Sequence, residues 1–221
     1  MLPVDRAAQA RSSCRGFLDK KISEETIKTL FELSQKAPSW CNIQPWNMTI
    51  LSAPHVEQLS QKLVETAQSG EPNPHVPFPG PYPEPYLSRR RACGLELYKK
   101  MGITKEDKVG RQKAWLRNYQ IFDAPHLAIV SRDKNLGEYA TLDVGVWLGY
   151  FLLVAESLGI ATIPMASLAE YPAPIIEFLN IEPSQTILFG LAFGYKDESV
   201  VANKATTSRE PLTKNIKFFG S

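Results

Sequence analysis

The chain has 221 residues, of which 43% are hydrophobic and 22% are charged, and its formal net charge is +2. This composition is typical of one globular domain with a substantial core, and so small a charge gives no reason to expect nucleic acid as a partner. Cys14, Cys41 and Cys93 show no CxxC or other paired spacing, and the three histidines share no ligand spacing. We therefore expect no structural disulfide and no metal site.

The N-terminal segment and the most apolar run bear on location. The first 14 residues carry charges at Asp5, Arg6 and Arg11 and contain no apolar core, so no secretory signal is predicted. Val144–Ala155 is twelve apolar residues between two acidic ones, too short to cross a bilayer, and it predicts a buried helix. We expect a cytoplasmic protein without a membrane partner.

Helical and strand patterns alternate along the chain. The predicted helices cover residues 4–12, 24–37, 54–70, 87–101, 104–119, 138–158 and 174–179, and the predicted strands cover residues 46–51, 126–130, 161–164 and 187–193. Ser23 and Thr104 are the predicted N-caps of two of these helices. The strands are too few for a full doubly wound sheet, and no Gly-x-Gly-x-x-Gly follows the first of them. The pattern therefore predicts an α+β fold with a helix-rich shell.

Residues 71–86, called here the proline-rich segment, contain seven prolines. So many missing amides exclude a helix or a central strand. A disordered linker is one interpretation, but Phe78, Tyr82 and Tyr86 are unusual in solvated linkers. We favour a stiff excursion that packs over the body near the substrate entrance. The Arg89–Arg91 run that follows is typical of a solvated helix face.

The run from Ala37 to Trp46 is the centre of the chain's organisation. Pro38 ends a helix and Pro45 precedes a strand, and short polar side chains lie between them. With its two tryptophans, this polar loop suits a planar heteroaromatic ligand, although an ordinary helix-to-strand turn would also explain it.

Two further segments, one before this loop and one near the C-terminus, make the sequence pattern specific. Residues 11–15, called here the arginine segment, have the form Arg-x-Ser-x-Arg, and residues 38–46, called here the proline loop, have the form Pro-Ser-x-x-Asn-x-Gln-Pro-Trp. The C-terminal segment, residues 194–212, contains Gly194-Tyr195-x-Asp197, Asn203 and Ser208-Arg209-x-Pro211-Leu212. In this order, and over nearly the whole chain, these residues resemble the FMN-dependent nitroreductase family.

The resemblance implies a nitroreductase-like fold, a small mixed β-sheet surrounded by helices. It also implies an intertwined homodimer in which a single domain, residues 1–221, sends a C-terminal extension, residues 205–221, onto its partner. FMN would lie at the interface, with its phosphate on Arg11 and Arg209 and its pyrimidine end beside Arg15. The residues implied to contact FMN are Arg11, Ser12, Ser13, Arg15, Pro38, Ser39, Trp40, Asn42, Gln44, Asp143, Pro164, Met165, Ala166, Ser167, Ser208 and Arg209.

In the resembling family Asn42 and Gln44 would come from the second subunit, and residues 164–167 would lie along one face of the flavin ring. Asp143 stands where several family members carry a glutamine, and Ala166-Ser167 replaces the Glu-Gly of some members. The contact between Asp143 and FMN and the substrate preference of the site are therefore open.

The activity implied is an FMN-dependent NAD(P)H oxidoreductase that reduces nitroaromatic compounds, with quinones as a further candidate acceptor, in two-electron ping-pong steps through flavin N5. No catalytic side chain is required, since the cofactor carries the chemistry. Phe78, Tyr82, Tyr86 and Tyr98 are the predicted pocket wall. The alternatives are reductive dehalogenation or flavin destruction on the same fold, and a flavin-binding regulator or carrier without turnover.

Overall fold

In the computed structural model, which describes residues 1–220, a four-stranded sheet is surrounded by eight α-helices. The strands are β1 (Asn47–Ser52), β2 (His126–Asp133), β3 (Ala161–Met165) and β4 (Gln185–Gly194). The helices are α1 (Val4–Ala10), α2 (Glu24–Ser34), α3 (His55–Ser69), α4 (Tyr86–Lys100), α5 (Lys108–Leu116), α6 (Glu138–Ser157), α7 (Pro172–Leu179) and α8 (Leu212–Asn215). The predicted α+β class is confirmed.

The sheet has the strand order β1-β2-β4-β3, and every neighbouring pair is antiparallel. The expectation of a mixed sheet is therefore wrong for the strands of this chain. Among residues 1–220, the parallel pairing is one isolated bridge, between Ser13 and Thr162. The strands β1 and β3 are the two edges, and each leaves one row of backbone groups free for another strand.

The sheet separates two hydrophobic cores. Along β2, Leu127 and Ile129 face α3 and α7, whereas Ala128 and Val130 face α2 and α6. Successive side chains of a strand point to opposite faces, so a strand covered on both faces is apolar throughout. This explains why the predicted strand over 126–130 is a continuous apolar run.

The helix α6 is buried on one side only. Trp147 and Phe151 are fully buried against α2 and the sheet, whereas Tyr139 and Leu142 are 68% and 61% exposed. The prediction of a buried helix over Val144–Ala155 is therefore confirmed for its inner face, whereas Val146 and Tyr150 on its outer face are exposed in one chain. At 20 residues with a mean hydropathy of 1.3 in its most apolar window, it is also long enough to cross a membrane, although core helices of soluble proteins meet the same criteria.

Helix boundaries follow the predicted signals with one correction. The Ser23 side chain accepts a hydrogen bond from the Thr26 amide, as an N-cap does, and Gly70 ends α3. The predicted cap at Thr104 is wrong. The helix α5 begins four residues later, because the Asp107 carboxylate accepts the Gly110 amide at 2.8 Å and supplies the cap itself.

The proline-rich segment is attached to the body at two points. The Asn73 amide donates to the Glu170 carbonyl at 2.9 Å, and the Ile187 amide donates to Nδ1 of His75 at 3.1 Å. The second bond satisfies a β4 amide beyond the end of β3, where that edge of the strand has no strand partner. These contacts favour a packed excursion over a free linker.

Candidate active site

The arginine segment lies against the edge strand β3. The helix α1 ends at Ala10, and Ser13 then pairs with Thr162, whose carbonyl accepts the Cys14 amide at 2.9 Å. This pairing brings residues 11–15 next to the strand that leads into residues 164–167. Two segments that are 150 residues apart in the chain, both predicted to contact one ligand, are therefore neighbours.

The buried side chain of Asn203 joins the C-terminal segment to the arginine segment. Its Oδ1 accepts the backbone N–H of Arg15, and its Nδ2 donates to the carbonyls of Gly16 and Asp197 at 2.9 and 2.8 Å. One amide side chain thus uses both ends to hold three backbone groups in place. The C-terminal segment is therefore in direct contact with the arginine segment.

The guanidinium of Arg15 is a half-buried cation without an acidic partner. It donates to the Ser13 carbonyl at 3.3 Å, and no carboxylate lies within 4.0 Å of it among residues 1–220. Burial lowers its pKa from the ordinary arginine value, but a guanidinium stays charged in proteins. A partly desolvated, uncompensated positive charge favours an anionic ligand.

The segment after β3 carries an unsatisfied polar atom. Met165 is buried and Pro164 is half-buried, whereas Ala166 is exposed. The Oγ atom of Ser167 is buried and has no hydrogen-bond partner among residues 1–220. Buried hydroxyls are normally paired, so this atom marks a place where a ligand or a water would complete the site.

A cavity of about 880 Å³, called here the α4 cavity, lies between one face of α4 and the C-terminal segment. Its lining includes Ser88, Arg89, Ala92, Cys93 and Glu96 of α4 and residues 206–210 and 215. It adjoins the arginine segment, because Cys93 is near enough to Arg15 to influence its pKa. The sequence interpretation missed this α4 face. Its i, i+3, i+4, i+7 spacing was the available signal, but its mixed side chains look like an ordinary surface.

Arg209 lines the α4 cavity but is folded back on its own backbone. Its Nη1 donates to the Thr207 carbonyl, the Thr207 hydroxyl and the Ser208 carbonyl at 2.9–3.2 Å. All three acceptors are neutral, and the neighbouring Glu210 carboxylate instead accepts from Arg89 Nε at 3.1 Å. The charge of Arg209 is therefore available to an anion in the cavity.

The proline loop lies beside the N-terminal half of α6, where Asp143 holds it. The Trp40 amide donates to both carboxylate oxygens of this buried aspartate at 3.1 Å, and the Ser39 hydroxyl accepts the Gln44 amide at 2.9 Å. Asn42 and Gln44 have positive φ angles and point into solvent. Asp143 thus positions the loop in this structure, and a direct ligand contact by it stays a prediction.

The arginine segment and the proline loop do not meet within one chain. Arg11 lies close enough to Glu156 to oppose the rise that burial causes in the pKa of that carboxyl, whereas Trp40 binds Asp143. Thirteen helical residues separate Asp143 from Glu156, which is about 20 Å along the axis of α6. Within residues 1–220, the arginine segment and the proline loop are therefore two separate halves of the predicted site.

Other predicted site residues have less defined positions. Ser12 is half-buried beside the arginine segment, Pro38 is exposed in the proline loop, and Ser208 is exposed at the α4 cavity. None of the four predicted pocket-wall aromatics is among the side chains that line this cavity: Phe78, Tyr82, Tyr86 and Tyr98. Tyr82 and Tyr86 instead lie under the guanidinium groups of Arg90 and Arg89, at 5.5 and 5.6 Å.

The model of the Nitroreductase family matches residues 8–195 of this chain. The chain belongs to the nitroreductase family. It is 31% identical over 216 residues to a 4-nitrobenzoate reductase of Pseudomonas putida, covering 98% of this chain and 95% of that relative.

Two solved nitroreductases have the same fold as this chain. The FMN and NADPH-dependent nitroreductase NfnB from Sphigopyxis sp. strain HMH superposes with a TM-score of 0.96 at 29% identity, over 100% of both chains. The FMN-dependent nitroreductase NfnB from Mycobacterium smegmatis, solved in complex with NADPH, gives 0.94 at 27% identity over 97% of both. The predicted nitroreductase-like fold is therefore confirmed.

Proposed function

We propose that this nitroreductase-family protein is an FMN-dependent oxidoreductase that transfers hydride from NADH or NADPH to nitroaromatic compounds and quinones. The observation that carries the proposal is Arg15, a half-buried cation without an acidic partner in residues 1–220, which lies between the end of β3 and the α4 cavity. The relatives support it, because they include a 4-nitrobenzoate reductase and FMN-dependent nitroreductases.

The residues around Arg15 fit FMN. Arg11 and Arg209 offer guanidinium groups that have no carboxylate within 4.0 Å among residues 1–220, which suit the phosphate, and the Ser13 hydroxyl is a further donor. A cavity of about 880 Å³ has room for the cofactor. When bound, FMN would supply the hydride chemistry, accepting from the nicotinamide and giving to the acceptor.

Arg15 tunes this chemistry rather than reacting. Arg15 would lie beside the pyrimidine end of bound FMN, where its fixed positive charge would stabilise negative charge on the cofactor. Its position is set by the bond from its own amide to Asn203 and by the bond from its guanidinium to the Ser13 carbonyl. Such preorganisation matters because a charge already in place does not have to move during the reaction.

The complete site is formed by two chains. The separation of about 20 Å along α6 supports this arrangement, since one chain presents the arginine segment and its partner the proline loop with Asn42. The exposed stripe of α6, Tyr139, Leu142, Val146 and Tyr150, offers an apolar surface for the partner. Exposed Phe218 and Phe219 support the same arrangement for the extension from residue 205 onward, in which Ser221 lies outside the described residues.

The protein works in a reducing, cytoplasmic compartment. Cys14, Cys41 and Cys93 are all free thiols, and two of them are exposed. Exposed free cysteines suit a compartment where thiols stay reduced.

The test is the absorbance spectrum of the purified protein, followed anaerobically. We expect a flavin spectrum that bleaches on addition of NADPH or NADH and recovers when a nitroarene is added. A bound flavin that neither nicotinamide reduces would support the carrier alternative and contradict the proposal. Reduction by nicotinamide without reoxidation by nitroarenes or quinones would point to dehalogenation or flavin destruction instead.

A further inference from the structure

A strongly basic surface covers the two helices that follow the proline-rich segment. Between residues 86 and 117 the chain carries ten lysines and arginines against three acidic residues, a net charge of +7, whereas the whole chain carries +2. Three of these cations have a carboxylate within 4.0 Å, in the pairs Arg89–Glu210, Lys100–Glu96 and Arg117–Asp123. The other seven have none among residues 1–220, so this surface attracts anions.

Arg90 is one of these seven cations without a carboxylate partner among residues 1–220, and it lies on α4 next to a residue of the α4 cavity. It follows Arg89, which lines that cavity, and stands about 100° further round the helix. Its guanidinium lies 5.5 Å from the ring centroid of Tyr82, which holds the exposed side chain where the proline-rich segment meets α4. Arg91 stands about 200° from Arg89, on the far side of α4. Arg90 therefore combines a free charge, a fixed position and proximity to the cavity.

We propose that Arg90 binds the 2′-phosphate of NADPH and makes this enzyme prefer NADPH to NADH. The proposal rests on the proposed function, because a nicotinamide donor docks beside α4 only if the α4 cavity holds FMN. NADPH and NADH differ in this phosphate alone, and a guanidinium matches a phosphate through two parallel hydrogen bonds. Arg89 is less suited to this contact, since Glu210 already neutralises it.

The experiment compares Arg90→Gln with the matched control Lys99→Gln in FMN-loaded protein. Lys99 lies on the same helix, is exposed and has no carboxylate within 4.0 Å among residues 1–220, so its loss removes the same charge from the same surface. We measure kcat and KM separately for NADPH and NADH with one nitroarene. Calorimetry then compares the binding of adenosine 2′,5′-bisphosphate and AMP to each protein.

In Arg90→Gln we expect kcat/KM for NADPH to fall by about tenfold or more, through KM, as the loss of a charged hydrogen bond implies. The value for NADH should stay within about twofold, and Lys99→Gln should change neither by more than that. The bisphosphate should bind wild type more tightly than AMP does, and Arg90→Gln should lose that advantage.

Equal losses for NADPH and NADH, no loss for either, or the same change in Lys99→Gln would overturn the assignment. A protein that oxidises neither dinucleotide would overturn the proposed function instead. In that case, a bisphosphate preference that depends on Arg90 would still support the phosphate site, and equal binding of the two nucleotides would refute it.

Discussion

The contact between Asp143 and the proline loop allows a sharp test of how α6 prepares the candidate site. Asp143 is 7% exposed, and both of its carboxylate oxygens accept the Trp40 amide at 3.1 Å. A hydrogen bond to a charged group contributes about 1.5–3 kcal/mol, so Asp143→Ala should destabilise the protein by about 2 kcal/mol. In a domain of this size, that corresponds to a fall in Tm of about 4–8 °C. Asp143→Asn keeps one neutral acceptor and should lose about half as much.

The effect should be concentrated in the proline loop. Amide hydrogen exchange of residues 38–46 should accelerate in Asp143→Ala, with the Trp40 amide changing most, because it loses its acceptor. The affinity for FMN should fall as well, since a loosened loop presents Asn42 less often. Asp19→Asn is the control, because it removes one exposed carboxylate that is not part of the loop or of α6. If the Trp40 amide exchanges no faster in Asp143→Ala than in the control, the positioning role is wrong.

Further predictions concern the charges, the C-terminus and the pH response. Arg209→Ala should weaken FMN binding by about 1.5–3 kcal/mol, whereas the surface control Arg6→Ala should not; equal affinities in titrations would refute the phosphate assignment. Arg15→Ala should lower the flavin midpoint potential because the reduced form loses its cation, and an unchanged or higher potential would contradict this role. Removing residues 212–221 should abolish dimerisation and flavin retention together, as light scattering and flavin content would report; a dimeric, loaded truncation would show that the tail is dispensable. Burial lowers the pKa of His126 below its unfolded value of about 6.5. The stability that the neutral imidazole contributes is therefore present above about pH 6.5 and is lost as the pH falls toward the lower folded pKa. His126→Gln should make the unfolding free energy less dependent on pH between these two pKa values.

Local signals in the sequence were sufficient for most helices and strands. Ser23 and Gly70 act on the backbone within a few residues, so their effects do not depend on the rest of the fold. The apolar run of β2 likewise identified a strand buried on both faces. The cap at Thr104 failed because a stronger acceptor, Asp107, lies three residues later.

The ordered segments also identified the family, and with it most of the candidate site. Arg15 and Asn203 were both named from the sequence, but their direct contact became visible only in the structure. A sequence can indicate such residues because their side chains suit one kind of partner: a guanidinium suits an anion, and an amide suits backbone N–H and carbonyl groups. Which of them touch depends on how β3 and the C-terminal segment pack.

Tertiary structure alone decided three features. The α4 face that lines the cavity looks like ordinary surface in sequence, and only packing against residues 206–210 makes it a wall. Asp143 binds the amide of Trp40, 103 positions away, and no local pattern reports a pairing at that distance. The distance between the arginine segment and the proline loop is set by α6, because the two segments lie beside different turns of this rigid helix.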